Sequence, residues 1–435
     1  MLRQFLSSWG GILNKIHNIS FLALKDSTQE IFLKDRFGIV HGNGRSYGDI
    51  CLNPSGIVWK TDSLDHIIDF DADKGIIKCE VGILISNLQK LISKKGWLLP
   101  VSPGTQFVTL GGAIANDVHG KNHHKFGSFG NNILSLTLLR SNGKVLSCSD
   151  KSNRNYFYAT IGGIGLTGII IDVTLKLKPI SSVYLYVEKH AFYSLEEFMS
   201  LSLKLEKNFE YVVGWLDHSN KKICRGFITA SKETTQIKTL NRKKRSLSIK
   251  YPFKHSFSII NPSIVKCFNW LYFHLNTLSS TGSIQHYEDV LYPLDYIENW
   301  NMIYGKKGFY QYQFVVPKIK AIEAITYILE RIRMSNQGSF LSVIKSFSQI
   351  KSKGMLSFPR EGVTFALDFP NCGSKSLILF NDLDKIVCKY NGSVYLAKDA
   401  RMSKSVFQKG FPEYKKFVKF TDPYMQSLLS KRLFN

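Results

Sequence analysis

The chain has 435 residues, 44% hydrophobic, with 57 Lys and Arg against 33 Asp and Glu for a formal net charge of +24. That length and apolar content exclude a disordered chain and allow two or three domains with cores of their own. The charge favours an anionic partner (nucleic acid, acidic lipid headgroups or a phosphorylated substrate), but a Lys-, Asn- and Ile-rich coding bias produces the same excess, so charge alone does not choose among them.

Residues 1–20 carry Arg3 but neither a continuous apolar run nor a cleavage site, so a secretory leader is not expected. No window of about twenty apolar residues is present to cross a bilayer. The first strong signal is His41-Gly42-Asn43-Gly44-Arg45-Ser46-Tyr47-Gly48-Asp49. Glycines let a backbone approach a ligand and aim its N–H groups at phosphate oxygens. The loop is not a dinucleotide fingerprint, because Tyr47 stands where the third glycine belongs, and no Gly-Lys-Ser/Thr follows to make a Walker loop. Alone, such a loop is also compatible with a tight structural turn. Short strands are predicted at 56–59 and 75–79, and apolar spacing at Ile85, Leu88, Leu91 and Ile92 predicts a helix over 85–95. A second glycine segment runs from Pro103-Gly104-Thr105 through Gly111-Gly112 to His119-Gly120-Lys121-Asn122-His123-His124. The two segments are expected to form facing walls of one cofactor site. Ser141-Asn142-Gly143 marks a hairpin, and a third cluster, Gly162 to Gly168, precedes a strand over 169–177.

From about residue 181 the texture changes to strand, helix and strand over 183–189, 195–205 and 211–216, predicting an antiparallel sheet covered by helices. Residues 232–262 are basic and irregular around Arg242-Lys243-Lys244-Arg245, and 267–275 is aromatic-rich. The stretch 238–275 is read as either an ordinary solvated loop and core helix or an element that docks on an anionic membrane. A second strand–helix–strand unit uses 321–333 as its helix and 363–369 as its later strand. Seven cysteines (Cys51, Cys79, Cys148, Cys224, Cys267, Cys372 and Cys388) form no C-x-x-C pair. Their odd count and spacing argue against a zinc centre or a disulfide framework and suit a reducing compartment. His119, His123 and His124 lack the Cys or carboxylate partners that would complete a metal site, so none is expected.

Several motifs, in order and over nearly the whole length, carry a resemblance. They are Trp9-Gly10, Gly44 to Asp49, His119 to His124 with Gly127-Ser128-Phe129-Gly130, His286-Tyr287, Tyr292 to Asp295, Gln311 to Phe314, and Tyr395-Leu396-Ala397-Lys398-Asp399-Ala400-Arg401. The chain resembles the flavin oxidases of the decaprenylphosphoryl-ribose 2′-epimerases, within the vanillyl-alcohol-oxidase, or PCMH-type, superfamily of FAD enzymes. The resemblance implies an α+β, two-domain PCMH-type fold: an FAD-binding domain over 1–180, a central antiparallel-sheet substrate domain over 181–392, and a return to the FAD domain over 393–435. It implies FAD held without a covalent link, Arg45 standing where relatives often place a linking histidine. The cofactor contacts it implies are Val40, His41, Gly42, Asn43, Gly44, Arg45, Ser46, Tyr47, Gly48, Asp49 and Ile50 on the first wall. On the second they are Gly104, Thr109, Leu110, Gly111, Gly112, Asn116, Asp117, Val118 and His119, with Ile171 and Tyr395 beyond.

The implied reaction removes a hydride from a secondary alcohol carbon, and the alcohol proton must leave with it. Lys398 is expected at the catalytic position, with His119 and Tyr47 beside it, and Lys121, Gln311, Gln313, Lys345, Thr364 and Ala366 around the substrate. Thr364 and Ala366 depart from the Asn and Cys that the family often carries, which leaves the exact sugar open. The resemblance further implies a lipid-linked phosphosugar substrate, a short-chain NAD(P)-dependent reductase as partner, and a cytoplasmic protein peripheral at the inner face of the membrane. An aldonolactone or alditol oxidase acting on soluble sugars is the second reading. A nucleic-acid-binding protein is not expected, since no nucleic-acid motif appears.

Overall fold

The computed structural model describes residues 2–22, 37–54, 56–219, 224–235, 249–256, 258–278, 282–339 and 341–434. The basic centre Arg242-Lys243-Lys244-Arg245 lies outside the described residues. Two small sheets form the first part. One has four strands in the order Leu2–Ser7, Asn14–Phe21, Ile57–Lys60, Gly38–His41, the last two parallel to each other. The other has five antiparallel strands in the order Ile67–Asp71, Ile76–Glu80, Ile169–Lys176, Ile133–Leu139, Val145–Ser149. The predicted hairpin joins its last two strands, with Gly143 at φ +79° in the turn. The helix predicted over 85–95 is α-helical from Ile85 to Ile92 and then tightens into a 3-10 turn over Ser93–Lys95.

The middle of the chain builds one eight-stranded antiparallel sheet. Its order is Ser283–His286, Tyr184–Phe192, Arg225–Glu233, Tyr211–Asp217, Ser342–Phe347, Gly362–Pro370, Phe309–Val316 and Ser393–Val394. Central strands of this sheet are buried on both faces, and the period of two decides what each face carries. Along Gly362–Pro370, Val363, Phe365, Leu367 and Phe369 join the core that includes Ile325, Ile328, Leu329 and Ile332 of the Ala321–Met334 helix and Leu379, Phe380 and Leu383 of the Ser374–Lys389 helix. Thr364, Ala366 and Asp368 therefore point the other way. The register sets Gln311 opposite Asp368, Gln313 opposite Ala366 and Lys345 opposite Thr364. Polar side chains are thus gathered on the face of the sheet that looks toward the glycine-rich segments.

Ser393–Val394 is the last strand of the large sheet, and only after it does the chain cross back. Tyr395 to Arg401 passes between the sheet and the first glycine loop, where Tyr47 N–H is donated to the Ala397 carbonyl at 3.1 Å. The tail then joins the first sheet: Met425 bridges Gly38, Leu428 N–H reaches the Leu52 carbonyl at 2.8 Å, and Arg432 pairs with both Asp49 and Asp399 at 3.0 Å. Lys398 is fixed at the junction by main-chain bonds on both sides.

Candidate active site

A cavity of about 830 Å³ lies between the two glycine segments and the polar face of the large sheet. Its two ends are built differently. At one end the walls are mostly backbone. Val40, Gly42 to Tyr47 and Ile50 line it on one side, and Gly104, Thr109, Gly111, Gly112, Asn116, Val118 and His119 on the other. The first loop turns at Gly44, φ +63°. At Gly48 a Cβ would lie 1.7 Å from the Asp399 carbonyl oxygen, so only glycine lets the loop pass the returning chain. The N–H groups of Asn43, Gly44, Arg45 and Ser46 are donated to no acceptor among the described residues. Arg45 Nε, Asn116 Oδ1 and His119 Nδ1 are buried without a partner among the described residues, and a Cβ on Gly104 would meet nothing within 4 Å. Buried polar groups require partners. A row of free N–H groups, an open glycine wall and these orphaned atoms fit a long ligand with a pyrophosphate and a flat polar ring, as FAD is.

Five residues expected at the cofactor turn away from the cavity, and so does Gly48. His41 Nδ1 bonds the Cys51 carbonyl at 3.0 Å, and burial holds the ring neutral. Asp49 is taken by Arg432. Asp117 accepts from Gly130 N–H at 2.8 Å and Ser357 Oγ at 2.5 Å, bracing the second wall from behind. Leu110 packs into the core of the five-stranded sheet. A register shift between Ile170 and Asp172 puts Ile170 on the cavity and Ile171 in the core, the reverse of the expected placement. Tyr395 does line the cavity, its hydroxyl donating to the Asn116 carbonyl at 3.0 Å.

At the other end the walls are side chains from strands of the large sheet and the returning segment. Lys398 Nζ sits 3.8 Å above the centre of the Tyr47 ring. Lys345 Nζ donates to the Gly120 carbonyl at 3.1 Å, and Lys121 Nζ donates to the Val290 carbonyl. None of these three lysines has a carboxylate within ion-pair distance among the described residues. Burial lowers all three: Lys121 to about 8, and Lys345 and Lys398 to about 7, Lys345 further depressed by the two neighbouring lysines. Asp368 alone pulls Lys398 the other way.

Gln313 Nε2 donates to His119 Nε2 at 3.0 Å and to Thr364 Oγ1 at 3.2 Å. The acceptor role of Nε2 assigns the His119 proton to Nδ1, and burial with Lys345 nearby keeps the ring neutral. His119 is thus a donor at the atom that has no protein partner. Thr364 does not line the cavity. It holds Gln313 from behind, a correction to its expected place at the substrate, whereas Ala366 lines the cavity directly. Gln311 is held in the same manner, its Nε2 donating to Asp368 Oδ1 at 2.6 Å. Burial raises Tyr47 well above its usual value, so its hydroxyl stays protonated. His123 and His124 are structural: His123 Nδ1 accepts from Ser348 N–H at 3.2 Å, and His124 Nε2 meets the Phe209 carbonyl at 2.9 Å.

Three groups of functional interest were given no site role from the sequence. Asp368 is fully buried, has Oδ2 without a partner among the described residues, and is raised by burial to about 7. Its only sequence signal was its even spacing from Thr364 and Ala366 on one strand. Asp295 accepts Gln106 N–H at 2.8 Å beside Arg45, whose guanidinium lies 4.2 Å over the Trp9 ring. Trp215 and Phe227, stacked at 5.5 Å, line the far end of the cavity. These two strand aromatics read in sequence as ordinary core.

A family described as "FAD binding domain" matches residues 36–149, the stretch that carries both glycine walls. The chain is 33% identical over 393 residues to decaprenylphosphoryl-beta-D-ribose oxidase of Mycolicibacterium smegmatis, covering 88% of this chain and 84% of that protein. It is 30% identical over 182 residues to L-gulonolactone oxidase of Bos taurus, covering 41% of this chain and 40% of that one. It is 27% identical over 143 residues to D-lactate dehydrogenase of Archaeoglobus fulgidus, covering 32% of each.

Proposed function

The chain belongs to the decaprenylphosphoryl-β-D-ribose oxidase family, and from that premise we propose that it oxidises the C2 hydroxyl of a polyprenyl-phosphate-linked pentose to a 2-keto sugar. The enzyme is an FAD-dependent oxidoreductase acting on CH–OH groups. Residues 42–46 and Gly104, Thr109, Gly111, Gly112 and Asn116 are the ones that would hold the cofactor. FAD, when bound, supplies the hydride acceptor.

The protein's own residues handle charge, position and the proton. Lys398, lowered to about 7, has an uncharged fraction at neutral pH that can take the hydroxyl proton. Gln311 and the Nδ1–H of His119 offer hydrogen bonds to sugar oxygens, and Gln313 Oε1 accepts from a sugar hydroxyl, each oriented by a buried partner. Lys121 and Lys345 meet the phosphodiester.

The observation that carries the reading is the set of three partly buried lysines at the end of the cavity opposite the glycine walls, none within ion-pair distance of a carboxylate among the described residues. Buried cations need an anion, and a phosphate-linked sugar brings one. A neutral lactone or polyol would leave Lys121 and Lys345 without one, so the soluble-sugar reading, drawn from lactone oxidases matched over 32% to 54% of the chain, is the weaker one. A separate short-chain NAD(P)-dependent reductase then completes an epimerisation, and the oxidase works from the cytoplasmic side, peripheral at the membrane. No helix among the described residues is long and apolar enough to cross a membrane. The test is anaerobic bleaching of the bound flavin. Prenyl-phosphate pentoses should reduce it rapidly and free pentoses, lactones and alditols slowly; the reverse order would sink the proposal.

A further inference from the structure

The Pro262–Leu278 helix presents three different faces. Val265, Asn269 and Phe273 are buried against the strands Tyr184–Phe192 and Arg225–Glu233. At 100° per residue, Ile264, Phe268, Leu271, Leu275 and Leu278 (i, i+4, i+7, i+11 and i+14) share a second face. Their exposures run from 40% at Phe268 to 81% at Leu278. Tyr272, between these two faces, and Asn276, on the first, line the cavity.

The second face is joined to the cavity by a row of rings. Phe268 stacks on Tyr272 at 5.4 Å and 13°. Tyr272 meets Trp215 edge-on at 5.0 Å, and Trp215 stacks on Phe227 at 5.5 Å. Trp215 and Phe227 are cavity walls. An unbroken apolar path therefore runs from inside the site to an exposed stripe five residues long. Along the sequence through and before it the charge has one sign. Between residues 238 and 275 the sequence has eight Lys and Arg and no Asp or Glu. Of these, Lys250, Lys254 and Lys266 are described, and all are exposed.

We propose that this stripe enters the headgroup–acyl boundary of an anionic bilayer, and that the apolar chain of the substrate passes from bilayer to cavity along the Phe268–Tyr272–Trp215 row. An amphipathic helix with an apolar stripe and basic flanks is the element that lies in such an interface, and the positive charge selects acidic headgroups. A prenyl chain handed along aromatic rings is never returned to water, which would otherwise oppose its transfer. The lipid path rests on the oxidase reading; the docking surface does not.

The test uses the full-chain, FAD-loaded protein with vesicles of phosphatidylcholine alone or mixed in equal parts with phosphatidylglycerol. The protein should sediment with the mixed vesicles, less so at high salt, and weakly with phosphatidylcholine alone. Ile264→Glu with Leu271→Glu, both at exposed positions outside the cavity, should cut that partition at least ~10-fold. It should leave the melting temperature and the flavin reduction by a dispersed short-chain prenyl-phosphate pentose unchanged, and raise KM for a long-chain substrate presented in vesicles. Wild-type protein that stays in the supernatant, or a variant that sediments like it, overturns the docking surface. A solution dimer that the two substitutions dissolve overturns it as well, because the stripe would then cover a second copy. Sedimentation as expected with no flavin reduction by any prenyl-phosphate pentose leaves the surface standing and removes the oxidase reading, and the lipid path with it.

Discussion

The two ends of the cavity do their work with different materials. The cofactor end is built from main-chain N–H groups on two glycine loops, its shape set by close backbone approaches such as Gly48 on Asp399. The substrate end is built from side chains drawn from Tyr184–Phe192, Arg225–Glu233, Tyr211–Asp217, Ser283–His286, Phe309–Val316, Ser342–Phe347 and Gly362–Pro370, with Lys398 added by the returning chain. A backbone site serves an invariant ligand, since main-chain donors cannot be changed by substitution. A side-chain site can be retuned one residue at a time, and the Thr364 and Ala366 departures fall at that end.

The sharpest way to break this division is at Lys398, where the two ends meet. Lys398→Met should slow flavin reduction by prenyl-phosphate pentose by about 10³-fold, within the range for removal of a positioned base. It should keep the full visible flavin spectrum, because no cofactor-holding group is lost. Loss of bound flavin would show instead that Lys398 belongs to the cofactor end. The pH profile adds a sign. The Lys398 ammonium gives up its proton near 7, so reduction should accelerate as pH rises through about 7. Asp368 favours the ammonium, so Asp368→Asn should move that rise to lower pH; a rise that stays in place would dismiss Asp368 as its electrostatic partner.

The cofactor end answers to a smaller steric change. Gly48→Ala places a methyl carbon 1.7 Å from the Asp399 carbonyl, and the obstacle is backbone that Arg401 and Arg432 hold in place. The expected cost is about 3 kcal/mol, the upper end for overpacking, read as a lower melting temperature together with weaker flavin retention. Full stability with normal flavin content would mean that the loop and the returning tail separate easily.

The same division explains what could be read from the sequence. Glycine loops are local, so 42–48 and 104–112 stood out as a ligand site before any fold was known, and the large sheet followed from period-two segments. What stayed hidden was which end of each residue's environment mattered. His41, Asp49 and Asp117 look like ligand groups but are spent on Cys51, Arg432, Gly130 and Ser357, partners up to several hundred residues away. Ile170 and Ile171 exchange places because of a register shift that no pattern of two adjacent isoleucines can signal. Lys121, Lys345 and Lys398 came from the family resemblance; in a chain with this many lysines, nothing local marks the three that line the cavity.

Those lysines sharpen the comparison through protons. In the folded protein Lys121 and Lys345 sit near 8 and 7, below the 10.5 of an exposed lysine. Between those values the unfolded chain holds more protons, so these two groups make stability rise with pH across that window. An anionic ligand reverses the trend by stabilising the ammonium forms. Binding of a prenyl phosphate should therefore take up protons at a pH inside the window, which calorimetry in buffers of different ionisation enthalpy measures directly. Lys345→Met should abolish part of that uptake and raise KM roughly 10- to 100-fold, the equivalent of one charged hydrogen bond of about 1.5–3 kcal/mol, with kcat little changed. Unchanged proton uptake would mean that the phosphate lies elsewhere.

The smallest expected effect tests the layer behind the substrate. Thr364 Oγ1 accepts one of the two hydrogens of the Gln313 amide, and His119 Nε2 accepts the other. Thr364→Val keeps the side-chain shape and removes one acceptor, leaving a buried amide hydrogen unpaired at a cost of about 1 kcal/mol. Gln313 would remain anchored by His119 alone, so its position should loosen and kcat/KM should fall a few-fold while flavin content stays the same. Thr364→Ser, which restores the hydroxyl, should recover the loss. Should the valine variant lose activity as deeply as Lys398→Met, Thr364 would have to touch the sugar, and the cavity wall would need to be redrawn to include it. Equal activity in all three proteins would mean that His119 suffices to orient Gln313, and that the substrate end tolerates changes one layer out as readily as it tolerates Ala366 at its surface.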